Sequence, residues 1–287
     1  MTSLARPDHP TDSSSPAANA NQALWEKGDF TRIAHTMRES GDAFVDRLGL
    51  TKATQVLDVG CGDGTTAIPA ARRGAEVLGV DIARNLVAAG TARATEQGLA
   101  NCRFMHGDAM DLEAVEDASR DVTLSIFGAM FAPRPVDVAE EMVRVTRSGG
   151  RIVMGNWIPG DPTLVAQILQ VCSAYTPAPP AGFVSPMRWG VETDVIERFG
   201  AAGIPASRIT CTRESWVFRH DGSPASFLAL FRSYYGPTMN AFDAATQAGR
   251  ADDLQSELAA LFTAQNTSRD PDRTVIPATF LRVEVRR

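Results

Sequence analysis

Residues 56–64 read VLDVGCGDG, an apolar run followed by three glycines at alternate positions. The apolar residues predict a buried strand, and the glycines predict a tight turn that leads into a helix. Gly60 and Gly62 leave room for a ligand against bare backbone, and the start of the helix offers unpaired amides. This stretch therefore predicts a strand, a turn and a helix that bind a nucleotide-like ligand.

The spacing of the glycines narrows the choice of ligand. A dinucleotide fingerprint needs its third glycine three residues after the second, and Thr65 occupies that position. Asp58 ends the strand two residues before Gly60, where a carboxylate can face a cationic amino group but would repel a pyrophosphate. Both residues disfavour a dinucleotide-dependent oxidoreductase and favour S-adenosylmethionine as the ligand.

Two further acids follow the next two predicted strands. Asp81 comes 21 residues after Gly60, close to the spacing at which an acid reaches a ribose diol. The alternative interpretation of Asp81 is an N-cap of the following helix. Asp108 comes just after the third strand, where its carboxylate can accept from an adenine amino group. Three acids at three successive strand ends predict a nucleoside site.

Around this unit, short apolar runs alternate with helical patterns, which is typical of a parallel sheet wrapped by helices. We predict strands at 55–59, 76–80, 103–106, 122–127 and 151–156, and helices at 64–73, 85–97 and 135–146. Two helices are expected between 18 and 49. Beyond residue 157 we expect helices at 162–175 and 192–199, a strand at 208–219, helices over 223–266 and a closing strand at 274–285.

The predicted fold class is α/β, a Rossmann-like seven-stranded sheet that is mostly parallel, with an antiparallel edge and a helical cap. We expect a disordered leader at 1–16 and N-terminal helices at 17–49 that form part of the cap. The core should span 50–222 and 270–287, with a lid insertion at 158–189. Residues 223–269 should form the rest of the helical cap.

Composition limits the expected partners. The chain has 287 residues, a net charge of -6 and 44% hydrophobic residues, so it can bury a core and lacks the basic footprint of a nucleic-acid or anionic-membrane partner. No membrane span or signal peptide is evident, and we expect a cytoplasmic protein. The four cysteines lack CxxC spacing, so no metal site is expected. A homodimer is one assembly that the sequence allows.

Residues 55–156 resemble the class I S-adenosylmethionine-dependent methyltransferases, and most of all the branch of the ubiquinone and menaquinone C-methyltransferases. The matching segments are 56–64, 79–82, 107–109 and 135–154. The resemblance implies S-adenosylmethionine as cofactor. It also implies that Asp58, Gly60 and Gly62 contact the methionine part, and that Asp81 and Ile82 contact the ribose and adenine face. Asp108 and Ala109 would contact the adenine edge, and Ser125 and Phe127 would lie near the sulfonium.

Methyl transfer from a sulfonium depends mainly on a dry, oriented pocket. A base is needed only when the acceptor must lose a proton early, and histidine is the usual candidate. The resemblance places the helix of His35 over the cofactor, so His35 is the candidate base. The alternative is an ordinary histidine on a helix surface.

Aromatic residues in the cap region predict an apolar acceptor pocket. The alternative is that they only pack the cap onto the sheet. We expect methylation at O, N or C of a small, largely apolar or aromatic metabolite, in secondary metabolism. The alternative function is a cofactor-binding protein of the same fold without methyl transfer, a cyclase or a binding module. The candidate pocket residues are Met130, Phe131, Trp157, Tyr175, Trp189, Arg232, Tyr234 and Tyr235.

Overall fold

A computed structural model of the chain describes residues 16–287. Seven strands form one sheet in the order β3-β2-β1-β4-β5-β7-β6. Strands β1 to β5 pair in parallel, and β7 pairs antiparallel with both β5 and β6. The strands are β1 (Gln55–Val59), β2 (Glu76–Asp81), β3 (Cys102–His106), β4 (Arg120–Ile126), β5 (Thr146–Trp157), β6 (Ile209–His220) and β7 (Thr274–Arg286).

Eleven α-helices in the described part of the chain surround this sheet. They are α1 (Pro16–Glu26), α2 (Thr31–His35), α3 (Arg38–Asp46), α4 (Ala67–Arg72), α5 (Arg84–Glu96), α6 (Pro135–Val145), α7 (Leu164–Ser173), α8 (Glu192–Ala201), α9 (Pro224–Tyr234), α10 (Gly236–Gln247) and α11 (Ala251–Gln265). Local sequence explains several of their ends. For example, Ser223 caps α9 by accepting from the amide of Ser226, and Pro224 occupies the first turn, where its missing N–H costs nothing.

The core lies on both faces of the central strands. β1 is buried from Val56 to Val59 and is apolar there except for Asp58, as expected for a parallel strand covered on both faces. Helices α4 and α5 pack against β2 and β3, α6 packs against β4 and β5, and α7 and α11 pack against β7. The predicted fold class is therefore confirmed.

The region before β1 was predicted to form two helices and forms three, whereas the region after β6 contains several helices as predicted. The region before β1 forms three helices, because the carbonyl of Thr36 accepts from the amide of Arg219 on β6 and the chain turns there. The region after β6 forms α9, α10 and α11, with breaks at Tyr235 and at Gly249, whose φ is +69°. Apart from Pro16, the expected leader lies outside the described residues.

Within residues 16–287, no helix combines the length and the apolar character that a membrane crossing requires. The same residues contain no group of three or more His, Cys, Asp or Glu side chains placed to hold a metal ion.

Candidate functional site

A cleft opens at the carboxyl ends of β1, β2 and β4, where the strand order of the sheet reverses. Open α/β sheets bind their ligands at this switch point. We call this cleft the polar cleft, and its floor is formed by Gly60, Gly62, Asp81, Ile82, Asp108 and Ala109.

Close backbone contact builds the glycine-rich floor of the polar cleft. The amides of Gly60 and Cys61 donate to the carbonyl of Val80, at 2.8 and 3.1 Å. A Cβ on Gly60, whose φ is +67°, would lie only 2.7 Å from Cα of Gly128. A Cβ on Gly62 would meet no atom within 4 Å, because that position faces the open cleft. The loop therefore presents bare backbone to a ligand.

Asp81 joins this loop to the next helix. Its Oδ2 accepts from the amide of Gly62 at 2.8 Å, and its Oδ1 accepts from the amide of Ala83 at 2.9 Å. The side chain is buried, and burial raises the pKa of Asp81 while these amides lower it. Each carboxylate oxygen keeps a second lone pair, so Asp81 can also accept from the hydroxyls of a ligand.

Asp108 lies at the far end of the same floor. Its Oδ1 accepts from the amide of Met110 at 2.9 Å. Its Oδ2 accepts no hydrogen bond from the described residues. Ile82 and Ala109 flank it with apolar surface. This end of the polar cleft can hold a flat ring and accept a hydrogen bond from the edge of that ring.

Asp58 and Ser125 lie behind the loop, and neither side chain lines the polar cleft. Thr66 Oγ1 donates to Asp58 Oδ2 at 2.6 Å, and burial, with a smaller contribution from the charge of Asp81, raises the pKa of Asp58 to about 7. Ser125 Oγ donates to the carbonyl of Val59 at 2.7 Å and accepts from the amide of Ala129 at 2.9 Å. Both residues support the loop from below.

A second cavity adjoins the polar cleft and has an apolar wall. We call it the aromatic pocket. Four residues, Trp25, Phe30, Met37 and Phe127, line both cavities, so the two are neighbours. The other residues of the aromatic pocket are Ile33, Phe131, Trp157, Val165, Phe218, Phe231 and Tyr235.

The rings of the aromatic pocket pack in preferred geometries. Phe127 stacks on Trp157 with ring centroids 3.7 Å apart and planes 7° apart. Trp25 meets Phe131 edge-on at 4.8 Å. Tyr235 is buried beside Trp25, and burial raises the pKa of its phenol. Such contacts stabilise the walls beyond the area that they bury.

Helix α1 covers the mouth where the cavities meet. Its Trp25 lines both cavities, and polar contacts hold the following residues on two sides. Glu26 Oε1 accepts from the amide of Arg84 at the start of α5, at 2.9 Å. Lys27 Nζ forms an ion pair with Asp243 on α10, at 2.6 Å. This end of α1 therefore bridges α5 and α10.

The structure brings three of the eight predicted pocket residues together in the aromatic pocket, namely Phe131, Trp157 and Tyr235. The other five line neither cavity. Met130 is buried in the core, and Tyr234 is half-buried at the end of α9. Trp189 packs edge-on against Phe199 at 6.0 Å, with the guanidinium of Arg198 over its ring.

Tyr175 and Arg232 make their contacts outside both cavities. The Tyr175 hydroxyl donates to Glu257 at 2.6 Å. The guanidinium of Arg232 lies over the ring of Phe242 and donates to Gln255.

His35, the predicted base, is exposed at the end of α2 and lines neither cavity. The buried side of this segment is formed by Ile33 and Ala34, so His35 faces away from the core. The predicted role of His35 therefore has no support from its position.

Several wall residues were missed by the sequence analysis. Trp216 and Phe218 alternate along β6, and this spacing places both on one face of the sheet. Trp216 lines the polar cleft, and its buried Nε1 has no hydrogen-bond partner among the described residues. The alternation of aromatic residues was the one local signal. The other missed residues of the aromatic pocket are Trp25, Phe30, Ile33, Met37, Val165 and Phe231.

Similarity to known proteins agrees with this geometry. A family model described as "Methyltransferase domain" matches residues 57–154. An uncharacterized protein of Mycobacterium tuberculosis (strain ATCC 25618 / H37Rv) is 33% identical over 235 residues, which are 81% of this chain and 83% of the relative. A demethylmenaquinone methyltransferase of Anoxybacillus flavithermus is 36% identical over 110 residues, which are 37% of this chain and 46% of that enzyme.

Among solved structures, the crystal structure of the [4+2]-cyclase SpnF is similar, with a TM-score of 0.52 and 19% identity. The similarity covers 85% of this chain and 81% of the cyclase. At this level of identity it shows a common fold.

Proposed function

The chain belongs to the S-adenosylmethionine-dependent methyltransferases, and we propose that it methylates a small, largely apolar or aromatic molecule bound in the aromatic pocket. The observation that carries the proposal is the junction of the two cavities. A polar cleft suited to a nucleoside shares Trp25, Phe30, Met37 and Phe127 with a pocket whose walls are apolar.

The residues of the polar cleft fit the cofactor. Gly62, where a Cβ would project into open space, leaves room for the methionine part. Asp81 can accept from the ribose hydroxyls with its remaining lone pairs. Asp108 Oδ2 can accept from the adenine amino group, between the apolar surfaces of Ile82 and Ala109. Asp58 and Ser125 would act indirectly, by holding the loop in place.

When bound, the cofactor supplies a methyl group on positively charged sulfur as the electrophile. The chain's part is to orient the acceptor and to exclude water. Positive charge on sulfur disappears during the transfer, so a dry pocket favours the reaction. The faces of Phe127 and Trp25 can stabilise the cation before transfer. His35 has no assigned part in this proposal.

The test is direct methyl transfer. The purified protein would be incubated with S-adenosylmethionine carrying a trideuterated methyl group and a panel of one- to three-ring phenols, amines and quinols. We expect a labelled product and an equal amount of S-adenosylhomocysteine, both detected by mass spectrometry. The matched control is Asp81→Asn, which should reduce product formation at low cofactor concentration. Binding of the cofactor without any labelled product across the panel would contradict the proposal.

A second candidate function follows from the fold that the chain shares with a [4+2]-cyclase. In this alternative the aromatic pocket holds an apolar chain in a folded conformation for ring closure, and the cofactor stays bound without reacting. The two functions differ in a measurable product. A cyclase would convert its substrate to an isomer of equal mass and release no S-adenosylhomocysteine.

We place the methyltransferase in the cytoplasm and in secondary metabolism, acting on a free small molecule. The net charge of -6 supports an acceptor other than nucleic acid, since phosphate backbones need a basic surface. A homodimer is compatible with this proposal, and light scattering in solution would measure the assembly.

A further inference from the structure

Phe127 occupies the boundary between the two cavities. It lines the polar cleft on one side and the aromatic pocket on the other. Its ring is buried and stacks on Trp157, and it meets Trp216 and Phe280 edge-on at 5.0 and 5.3 Å. Contacts with rings on three different strands hold it in one orientation.

The backbone also fixes this ring. Phe127 has a φ of +61°, in the left-handed region that a bulky side chain rarely adopts. Its amide donates to the carbonyl of Gly155 at 2.9 Å. The next residue, Gly128, packs directly on Gly60, so the turn after β4 cannot relax away from the loop. Such strain persists only where surrounding structure imposes it, and it concentrates at functional sites.

We propose that Phe127 is a specificity-determining residue, whose ring narrows the junction through which the acceptor reaches the cofactor. This inference rests on the proposed function, because it assigns the aromatic pocket to the acceptor and the polar cleft to the cofactor. The ring limits how far an acceptor can move toward the cleft. The acceptor and the cofactor can then occupy their cavities at the same time.

Phe218 provides a matched comparison. It is the same residue type, it is buried, and it lies near Trp157 with ring centroids 6.3 Å apart and planes 26° apart. It lines the aromatic pocket but not the polar cleft. Removing its ring should enlarge the aromatic pocket without widening its junction with the polar cleft.

The test is a binding experiment that needs no turnover. By calorimetry, 2-naphthol is titrated into the unsubstituted protein, Phe127→Ala and Phe218→Ala, each with and without saturating S-adenosylhomocysteine. In the unsubstituted protein and in Phe218→Ala, we expect the nucleoside to leave the affinity for naphthol unchanged. In Phe127→Ala, naphthol can enter the cleft, so the nucleoside should weaken its binding by about fivefold or more.

Two outcomes would overturn the inference: competition in the unsubstituted protein, or Phe127→Ala behaving like Phe218→Ala. Phe127→Gly, which suits a positive φ, repeats the test if the alanine variant does not fold. A failed methyl-transfer assay together with the expected pattern of competition would support the role of Phe127 at the junction and contradict only the proposed function.

Discussion

The polar cleft and the aromatic pocket are built in different ways. Most of the cleft comes from the chain between Gly60 and Ala132, and its geometry is fixed by backbone amides, glycines and buried carboxylates. The aromatic pocket draws on α1, the turn after β4, the end of β5, β6 and α9, and its geometry is fixed by side-chain packing. Single substitutions should therefore disturb the geometry of the polar cleft more than that of the aromatic pocket.

Because the two cavities are built differently, they should also contribute differently to ligand specificity. Backbone geometry recurs wherever the strand, turn and helix recur, so the cleft suits one cofactor. A pocket assembled from separated aromatic side chains can change shape by substitution while the sheet stays the same. The cleft should set the cofactor, and the pocket should set the acceptor.

The largest expected effect concerns the buried Asp58. Burial raises its pKa from 3.8 to about 7, so the folded chain holds a proton that the unfolded chain releases above about pH 4. The stability that this proton provides is present below that pH and is lost as the pH rises through 7. The asparagine of Asp58→Asn stays neutral at every pH. The difference in free energy of unfolding between this variant and the unsubstituted protein should therefore grow in favour of the variant, by up to about 4 kcal/mol, as the pH rises from 4 to 8.

Denaturant unfolding across this pH range measures the gain. Thr66→Val should move the midpoint of the pH dependence upward, because the hydrogen bond from Thr66 lowers the pKa of Asp58. If the difference in free energy of unfolding between Asp58→Asn and the unsubstituted protein stays constant from pH 4 to 8, the pKa of Asp58 is not raised by burial.

The next effect concerns the close contact between Gly128 and Gly60. A Cβ on Gly128 would lie 2.7 Å from Cα of Gly60, so Gly128→Ala should destabilise the fold by about 1 to 3 kcal/mol and weaken nucleoside binding. The control is Gly200→Ala at an exposed position of helix α8, where the new Cβ meets nothing within 4 Å and stability should rise by about 0.5 to 1 kcal/mol. Equal effects of both variants in thermal unfolding would refute the contact.

A smaller effect compares two phenylalanines. Glycine tolerates the positive φ of Phe127, so Phe127→Gly should be more stable than Phe127→Ala by about 0.5 to 1 kcal/mol. At Phe218, in the regular strand β6, the order should reverse by a similar amount. Chemical denaturation of the four variants gives both differences. The same order at both positions would mean that the turn at Phe127 is not strained.

The smallest effect concerns the ion pair between α1 and α10. Both Lys27 and Asp243 are substantially exposed, so Lys27→Met should cost only about 0.2 to 1 kcal/mol, and less at high salt. Urea unfolding at low and high ionic strength measures the loss. A salt-independent loss above about 2 kcal/mol would indicate that this pair, and not the packing of Trp25, holds α1 in place.

The sequence predicted the cleft better than the pocket for a physical reason. Asp81 and Asp108 could be placed because parallel strands end at one edge of the sheet, so acids at those ends must lie near each other. Asp58 ends a strand as well, yet it lies behind the loop. Its side chain points to the side of the strand where Thr66 donates a hydrogen bond to it. The spacing of residues in the sequence does not determine to which side it points.

The pocket residues depend on long-range packing. Phe131 follows β4 and Trp157 ends β5, so both could be predicted to lie near the site, whereas Trp189 is equally aromatic but packs under Arg198. Trp25 was missed because its helix precedes the first strand, and nothing in its local sequence fixes where that helix docks. His35 was assigned through its helix, but Ile33 and Ala34 form the buried side of that helix and His35 is exposed.

We propose that Asp81 and the glycine loop hold the nucleoside of the cofactor independently of the acceptor. Calorimetric titration of S-adenosylhomocysteine into the unsubstituted protein and Asp81→Asn, without acceptor, tests it most directly. We expect one nucleoside to bind per chain, and the variant to lose about 1 to 3 kcal/mol of binding free energy, because it lacks hydrogen bonds to a charged group. Equal affinity of the two proteins would contradict it.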